Sequence, residues 1–168
     1  MDASVDGSLD NSVGARFAPW RIVRLGVIQS VAEYRRALKR AKFNLDDDAS
    51  HMLESPRLEI SKEVAELKLV CVFVDDLGLV QGAHYKEVCE KARHLGLERC
   101  PAEVALALRL SYTDQPLSSR IFIAMNPING KLFGVTHMDS VRHGLCSISG
   151  EDDYWLDSYL RLVFVQSQ

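Results

Sequence analysis

The chain lacks any apolar run long enough to cross a membrane as a helix. Such a span needs ~20 apolar residues, and the longest apolar stretch, Leu67 to Val74, is broken by Lys68. It also lacks a basic excess, with 20 Lys and Arg against 23 Asp and Glu and a net charge of −3. A dedicated nucleic-acid binder carries a strong positive surplus, so that class is disfavoured. Cysteine is sparse. Cys71, Cys89, Cys100 and Cys146 form no CxxC pair and no closely spaced framework, which speaks against a secreted disulfide scaffold. Cys71 lies in an apolar run and Cys89 on an apolar helical stripe, so both read as small core residues in a reducing compartment.

Catalytic and ligand-binding signatures are missing too. The sequence holds no glycine-rich phosphate loop, no G-x-S-x-G elbow and no H-E-x-x-H pair. The acidic runs Asp46-Asp47-Asp48 and Glu151-Asp152-Asp153 do not follow the spacing of a calcium loop. No internal repeat or long low-complexity linker occurs, and nothing calls for a cofactor or a metal.

What is present describes a globular chain. At 168 residues, 47% hydrophobic and 26% charged, it suits one domain with a short arm. Residues 1–16, rich in Ser, Asp, Gly and Asn, are expected to be a disordered arm, and the Met-Asp start does not read as a signal peptide. Residues 17–29, with Phe17, Trp20, Ile22, Val23, Leu25, Val27 and Ile28, read as an ordered strand or a docked extension. Residues 30–168 read as a single α+β domain of the cytoplasm.

Within that domain, Ser30 and Glu33 make a capping box ahead of a helix whose apolar face is Val31, Tyr34, Leu38 and Ala41. A shorter helix is expected over Asp46 to Leu53, closed by Ser55-Pro56. Leu67 to Val74 reads as a buried strand. Ala83 to Leu95 is amphipathic and stops at Gly96, and Cys100-Pro101-Ala102-Glu103 opens another helix running to about Leu110. Arg120 to Met125 and Lys131 to His137 flank the hairpin dipeptide Asn129-Gly130. Leu145 to Ser149 and Leu160 to Gln166 complete the strands. The expected fold is α+β: N-terminal helices and one central strand packed with a small C-terminal antiparallel sheet.

The stretch Tyr85-Lys86-Glu87-Val88-Cys89, Cys100-Pro101-Ala102-Glu103-Val104, Leu108-Arg109-Leu110 and Asp114-Gln115-Pro116 resembles a group of short bacterial proteins with no assigned activity. Trp155 and Leu162-Val163-Phe164-Val165 fit the same group. The resemblance spans roughly residues 31–166 and implies a bacterial, self-contained domain. It brings no catalytic residue, cofactor or ligand with it.

Three constellations are chemically suggestive. Cys100, at an expected helix N-cap, would have its thiolate favoured by free backbone N–H groups, and His137 or His94 would complete a Cys–His pair with Asp139 orienting His137. The plainer reading is a packed helix opening. His137, Asp139, His143 and Cys146 are of metal-ligand type, but H-x-D-x3-H-x2-C matches no compact zinc motif, and a polar loop is the plainer reading. Arg35, Arg36, Lys39, Arg40 and Lys42 form a basic stripe, with Arg21 and Arg24 upstream. Such a stripe meets an anionic partner or is simply a solvated face. Tyr154, Trp155 and Tyr159 concentrate aromatics of the kind found in binding hot spots, with Phe164 nearby. Together these favour a non-enzymatic binding module for another protein or a small ligand. The alternatives are a thiol enzyme built on Cys100 and a weak nucleic-acid contact through the first helix.

Overall fold

The structure, a computed structural model, describes residues 17–138 and 143–167. The expected arm at 1–16 and the residue Asp139 lie outside the described residues. In chain order the elements are β1 Arg21–Leu25, α1 Val31–Arg40, β2 Asn44–Leu45, α2 Asp47–Glu54, β3 Ala65–Phe73, a 3-10 turn Val74–Leu77, β4 Ala83–His84, α3 Tyr85–His94, β5 Leu97–Glu98, α4 Glu103–Ser111, β6 Ser119–Ile123, β7 Lys131–His137, β8 His143–Ser149, β9 Trp155–Leu156 and β10 Arg161–Gln166.

The expected small C-terminal antiparallel sheet is overturned. One large mixed sheet in the order β1-β3-β10-β6-β7-β8-β2 dominates, with β5 added beside β10. β3 is not a lone central strand, because it pairs antiparallel with β1 on one edge and with β10 on the other. β10 runs parallel to β6 through Leu162↔Phe122 and Val163↔Ile123, and β2 runs parallel to β8. β6, β7 and β8 form an antiparallel meander. Ile121, Phe122 and Ile123 are consecutive and all buried, so β6 is covered on both faces.

The sheet curls around α4. This helix packs against β1, β7 and β8. β1 and β8 stand five strand spacings apart, about 24 Å in a flat sheet, whereas a helix is only about 10 Å across. One helix reaches both only if the sheet bends over it. α4 is accordingly buried nearly all round, including the polar side chains Glu103 and Arg109.

Local chemistry sets the element ends. The Ser30 hydroxyl accepts from the Glu33 N–H, and the Glu33 carboxylate accepts from the Gln29 N–H. Asp46 caps α2 through Ala49 N–H at 2.7 Å, while its other oxygen accepts from Ser147 N–H and so fixes α2 to β8. Asn129 and Gly130 both have positive φ, 53° and 72°. Around them Ile128 and Lys131 exchange both backbone hydrogen bonds, as a two-residue hairpin loop requires. The expected N-cap at Cys100 is not found. Pro101 and Ala102 lie between it and α4, and Cys100 instead bridges to Met125 beside β6.

Candidate functional site

The thiol constellation does not assemble. Cys100 is buried, its N–H donates to the Ala124 carbonyl, and its Sγ lies 3.4 Å from the Val163 carbonyl. Burial pushes its thiol pKa well above the ordinary value, so the thiolate is disfavoured. His137 pairs with Ser119 at the start of β6, whereas Cys100 sits by Met125 past its end. At about 3.3 Å per residue those points are roughly 20 Å apart. His94 ends α3.

His137 and His143 do meet. They are cross-strand neighbours on β7 and β8, with ring centroids 4.0 Å apart. Nδ1 of His137 is 2.8 Å from the Gln115 carbonyl. Cys146 is three residues beyond His143 on the same strand, so it projects to the opposite face. Among the described residues no three His, Cys, Asp or Glu side chains gather as metal ligands.

Behind these histidines lies Arg109. Its guanidinium donates to Gln115 Oε1 at 2.7 Å, to the Thr136 carbonyl at 3.0 Å, and to the Gly144 and Tyr112 carbonyls. Desolvation pulls its pKa down to about 10, which still leaves it charged at neutral pH. Burial, then Arg109, then His137 lower the pKa of His143.

The basic stripe of α1 lines a cleft of about 490 Å³ together with the turn after the helix. Its lining residues are Arg35, Arg36, Leu38, Lys39, Lys42, Phe43 and Leu45, four cations around an apolar floor with no acid among them. The turn is built as a Schellman stop. Lys42 N–H donates to the Lys39 carbonyl and Phe43 N–H to the Leu38 carbonyl. That bonding reverses the chain and brings Phe43 back beside Leu38. The residue between must be left-handed, and here it is Lys42 with φ 61°. Glycine is the usual occupant, and a side chain there costs on the order of 1 kcal/mol.

The cations differ in freedom. Arg35 is half-buried, donates to the Ser50 carbonyl at 2.9 Å and pairs with Glu54 at 3.5 Å, so it is partly committed to α2. Arg36, Lys39 and Lys42 are exposed. Arg40 is exposed on α1 but does not line the cleft. Sequence reasoning placed the stripe on the helix but missed Phe43 and Leu45. Their signal was the C-terminal stop itself, disguised by a lysine where a glycine is expected.

The C-terminal aromatics lie elsewhere, on or near the β4–β9 ribbon. Trp155 pairs with His84 across it, their rings edge to face at 5.2 Å. The Tyr154 carbonyl accepts from Tyr85 N–H, and the exposed Tyr159 donates to Asp157. Phe164 is a core residue of β10.

No family model matches the chain, and no curated protein or solved structure matches it. Among the described residues no helix is long and apolar enough to cross a membrane.

Proposed function

We propose that the chain is a binding module of the bacterial cytoplasm that takes a small anionic ligand with an apolar body in the α1–β2 cleft. The carrying observation is Lys42. A lysine held at φ 61° is tolerated at a stability cost, and its side chain lines the cleft. Backbone strain of this kind concentrates at functional positions. Around it Arg36 and Lys39 supply further positive charge, and Phe43 and Leu45 supply apolar contact. Four thiols outside any disulfide accord with a reducing compartment.

Lys42→Gly separates the roles. Glycine relieves the strain, so the variant should melt a few degrees higher, while losing a ligand-facing cation. With 8-anilinonaphthalene-1-sulfonate as the anionic aromatic probe, the wild-type protein should show one saturable site that weakens with salt. Lys42→Gly should bind it several-fold more weakly despite its higher stability. Equal affinity in the two proteins would refute the assignment.

A further inference from the structure

We infer that the ligand of the α1–β2 cleft is a nucleotide with more than one phosphate, its base against Phe43 and its phosphates along Lys42, Lys39 and Arg36. The identification rests on the cleft being an anion site, as proposed above. Each of its two halves, base and phosphates, has its own observation.

The base half is an aromatic ring with one side left open. Phe43 lines the cleft and is half-buried. The Arg109 guanidinium lies over the ring, and the His143 ring stands T-shaped to it. Neither residue lines the cleft, and Arg109 is fully buried, so both stand behind Phe43. The faces of an aromatic ring are electron-rich, which attracts cations and repels a second electron-rich face. A guanidinium on the far side draws that density away from the cleft. The near side then favours a neutral, electron-rich flat ring such as a nucleobase. A cationic ring is disfavoured by Arg109 and by the cations of the cleft itself.

The phosphate half is a row of uncommitted cations. Arg36 and Lys39 are i,i+3 neighbours on one face of α1, and Lys42 follows three residues later, in the left-handed turn beside Phe43. All three are exposed, and among the described residues no acid pairs with them, whereas Arg35 answers Glu54. The C-terminal end of a helix ordinarily repels anions through its free carbonyls. Here the Ala37, Leu38 and Lys39 carbonyls already accept from the Ala41, Phe43 and Lys42 N–H groups. Side-chain charge therefore governs this end of α1. A single phosphate monoester carries at most about −2, less than the three free cations present. A chain of phosphates leading away from the base matches the row in both charge and direction. The cleft, about 490 Å³, lies within the range of ~300–1,000 Å³ usual for small-molecule sites.

The test titrates adenosine diphosphate into the full chain at low salt, followed by NMR. The amides of Lys39, Lys42 and Phe43 should shift, and the base protons of the bound nucleotide should move upfield in the ring current of Phe43. Adenosine and inorganic pyrophosphate each keep one half of the ligand and should bind more weakly than the whole. Phe43→Leu should weaken the nucleotide roughly tenfold, the scale of one lost base–aromatic stack. It should leave pyrophosphate binding unchanged, which also shows that the variant cleft is intact. Lys39→Gln should weaken nucleotide and pyrophosphate alike. Equal affinity for adenosine diphosphate and pyrophosphate would remove the base from the site and overturn the inference. So would tighter binding of a short oligouridylate, which assigns the row to a nucleic-acid strand. If 8-anilinonaphthalene-1-sulfonate binds, weakens with Lys42→Gly and is not displaced by millimolar adenosine diphosphate, the nucleotide fails while the anion cleft stands. If neither probe binds at the cleft, both readings fail.

Discussion

The Arg109 guanidinium carbon lies 5.0 Å from the centroid of the Phe43 ring, so a buried cation backs the aromatic floor of the cleft. The same guanidinium ties the loop after α4 to β7 and β8 through Gln115, Thr136 and Gly144. Arg109→Met keeps much of the volume but leaves Gln115 Oε1 and three carbonyls without this donor. With about 1–3 kcal/mol for each unsatisfied buried group and partial relaxation, the loss should be on the order of 3–4 kcal/mol. Urea unfolding measures it. A loss under about 1 kcal/mol would mean water or repacking replaces the guanidinium.

His143 makes stability depend on pH in a defined direction. Its folded-state pKa is lowered by burial, by Arg109 and by His137, while the unfolded imidazole titrates near 6.5. Above that value both states are neutral at this site. As pH falls below it, the unfolded chain takes up a proton that the folded chain resists, so stability is present above about 6.5 and is lost as pH falls through the depressed folded value. The slope of unfolding free energy between about pH 7 and 5 should be shallower in His143→Gln than in wild type. An unchanged slope would exonerate this residue.

Cys100 should be the slowest thiol to alkylate. Cys71 and Cys146 are half-buried, with pKa values raised by burial to about 11. That keeps them sluggish, yet reachable ahead of the more deeply buried Cys100. Timed iodoacetamide labelling of the native chain, read by mass spectrometry, gives the order. Cys100→Ser should cost on the order of 1–2 kcal/mol, since a hydroxyl can still donate to Val163 but fills less space.

Glu103 should prove to be a structural clasp. Its carboxylate accepts from Tyr34 Oη at 2.8 Å, Ser61 N–H at 2.8 Å and Gly26 N–H at 3.4 Å, joining α1, the segment before β3 and the end of β1. Burial and this carboxylate raise the Tyr34 pKa, so the phenol stays a donor through the neutral range. Tyr34→Phe should cost about 1–2 kcal/mol. Glu103→Ala should cost more, because it strands three donors at once. Thermal unfolding of the two variants and their double mutant should show coupling rather than additivity.

Much of the local structure was legible in the sequence, because its signals are local. Ser30 and Glu33 announce α1 within four residues, Asp46 announces α2, and Asn129-Gly130 needs nothing beyond itself to make a turn. The sheet was not legible. Its joining step sets β10 beside β3 and β6, through partners such as Phe73 and Arg161 that no turn dipeptide links. Nothing local in the sequence marks Arg109 and Glu103 as buried, because charged side chains are almost never fully buried unless paired. Here both are buried, since the helix that carries them is wrapped by the sheet. Pro101 suits a first helical turn and so points to Cys100 as the cap, but α4 starts at Glu103 with Ala102 before it. The basic stripe was legible on the helix. The cleft it lines was not, since its floor comes from the two residues that follow a left-handed lysine.

The central place of β10 has a consequence for how the polypeptide is made. One edge of β3 is paired by β10, and about 90 residues of sequence separate Phe73 from its partner Arg161. At synthesis rates of roughly 5–20 residues per second, β3 waits on the order of ten seconds for that partner, with a row of Leu and Val side chains uncovered. During that interval the nascent chain carries an open strand edge that only its own C-terminal strand later fills.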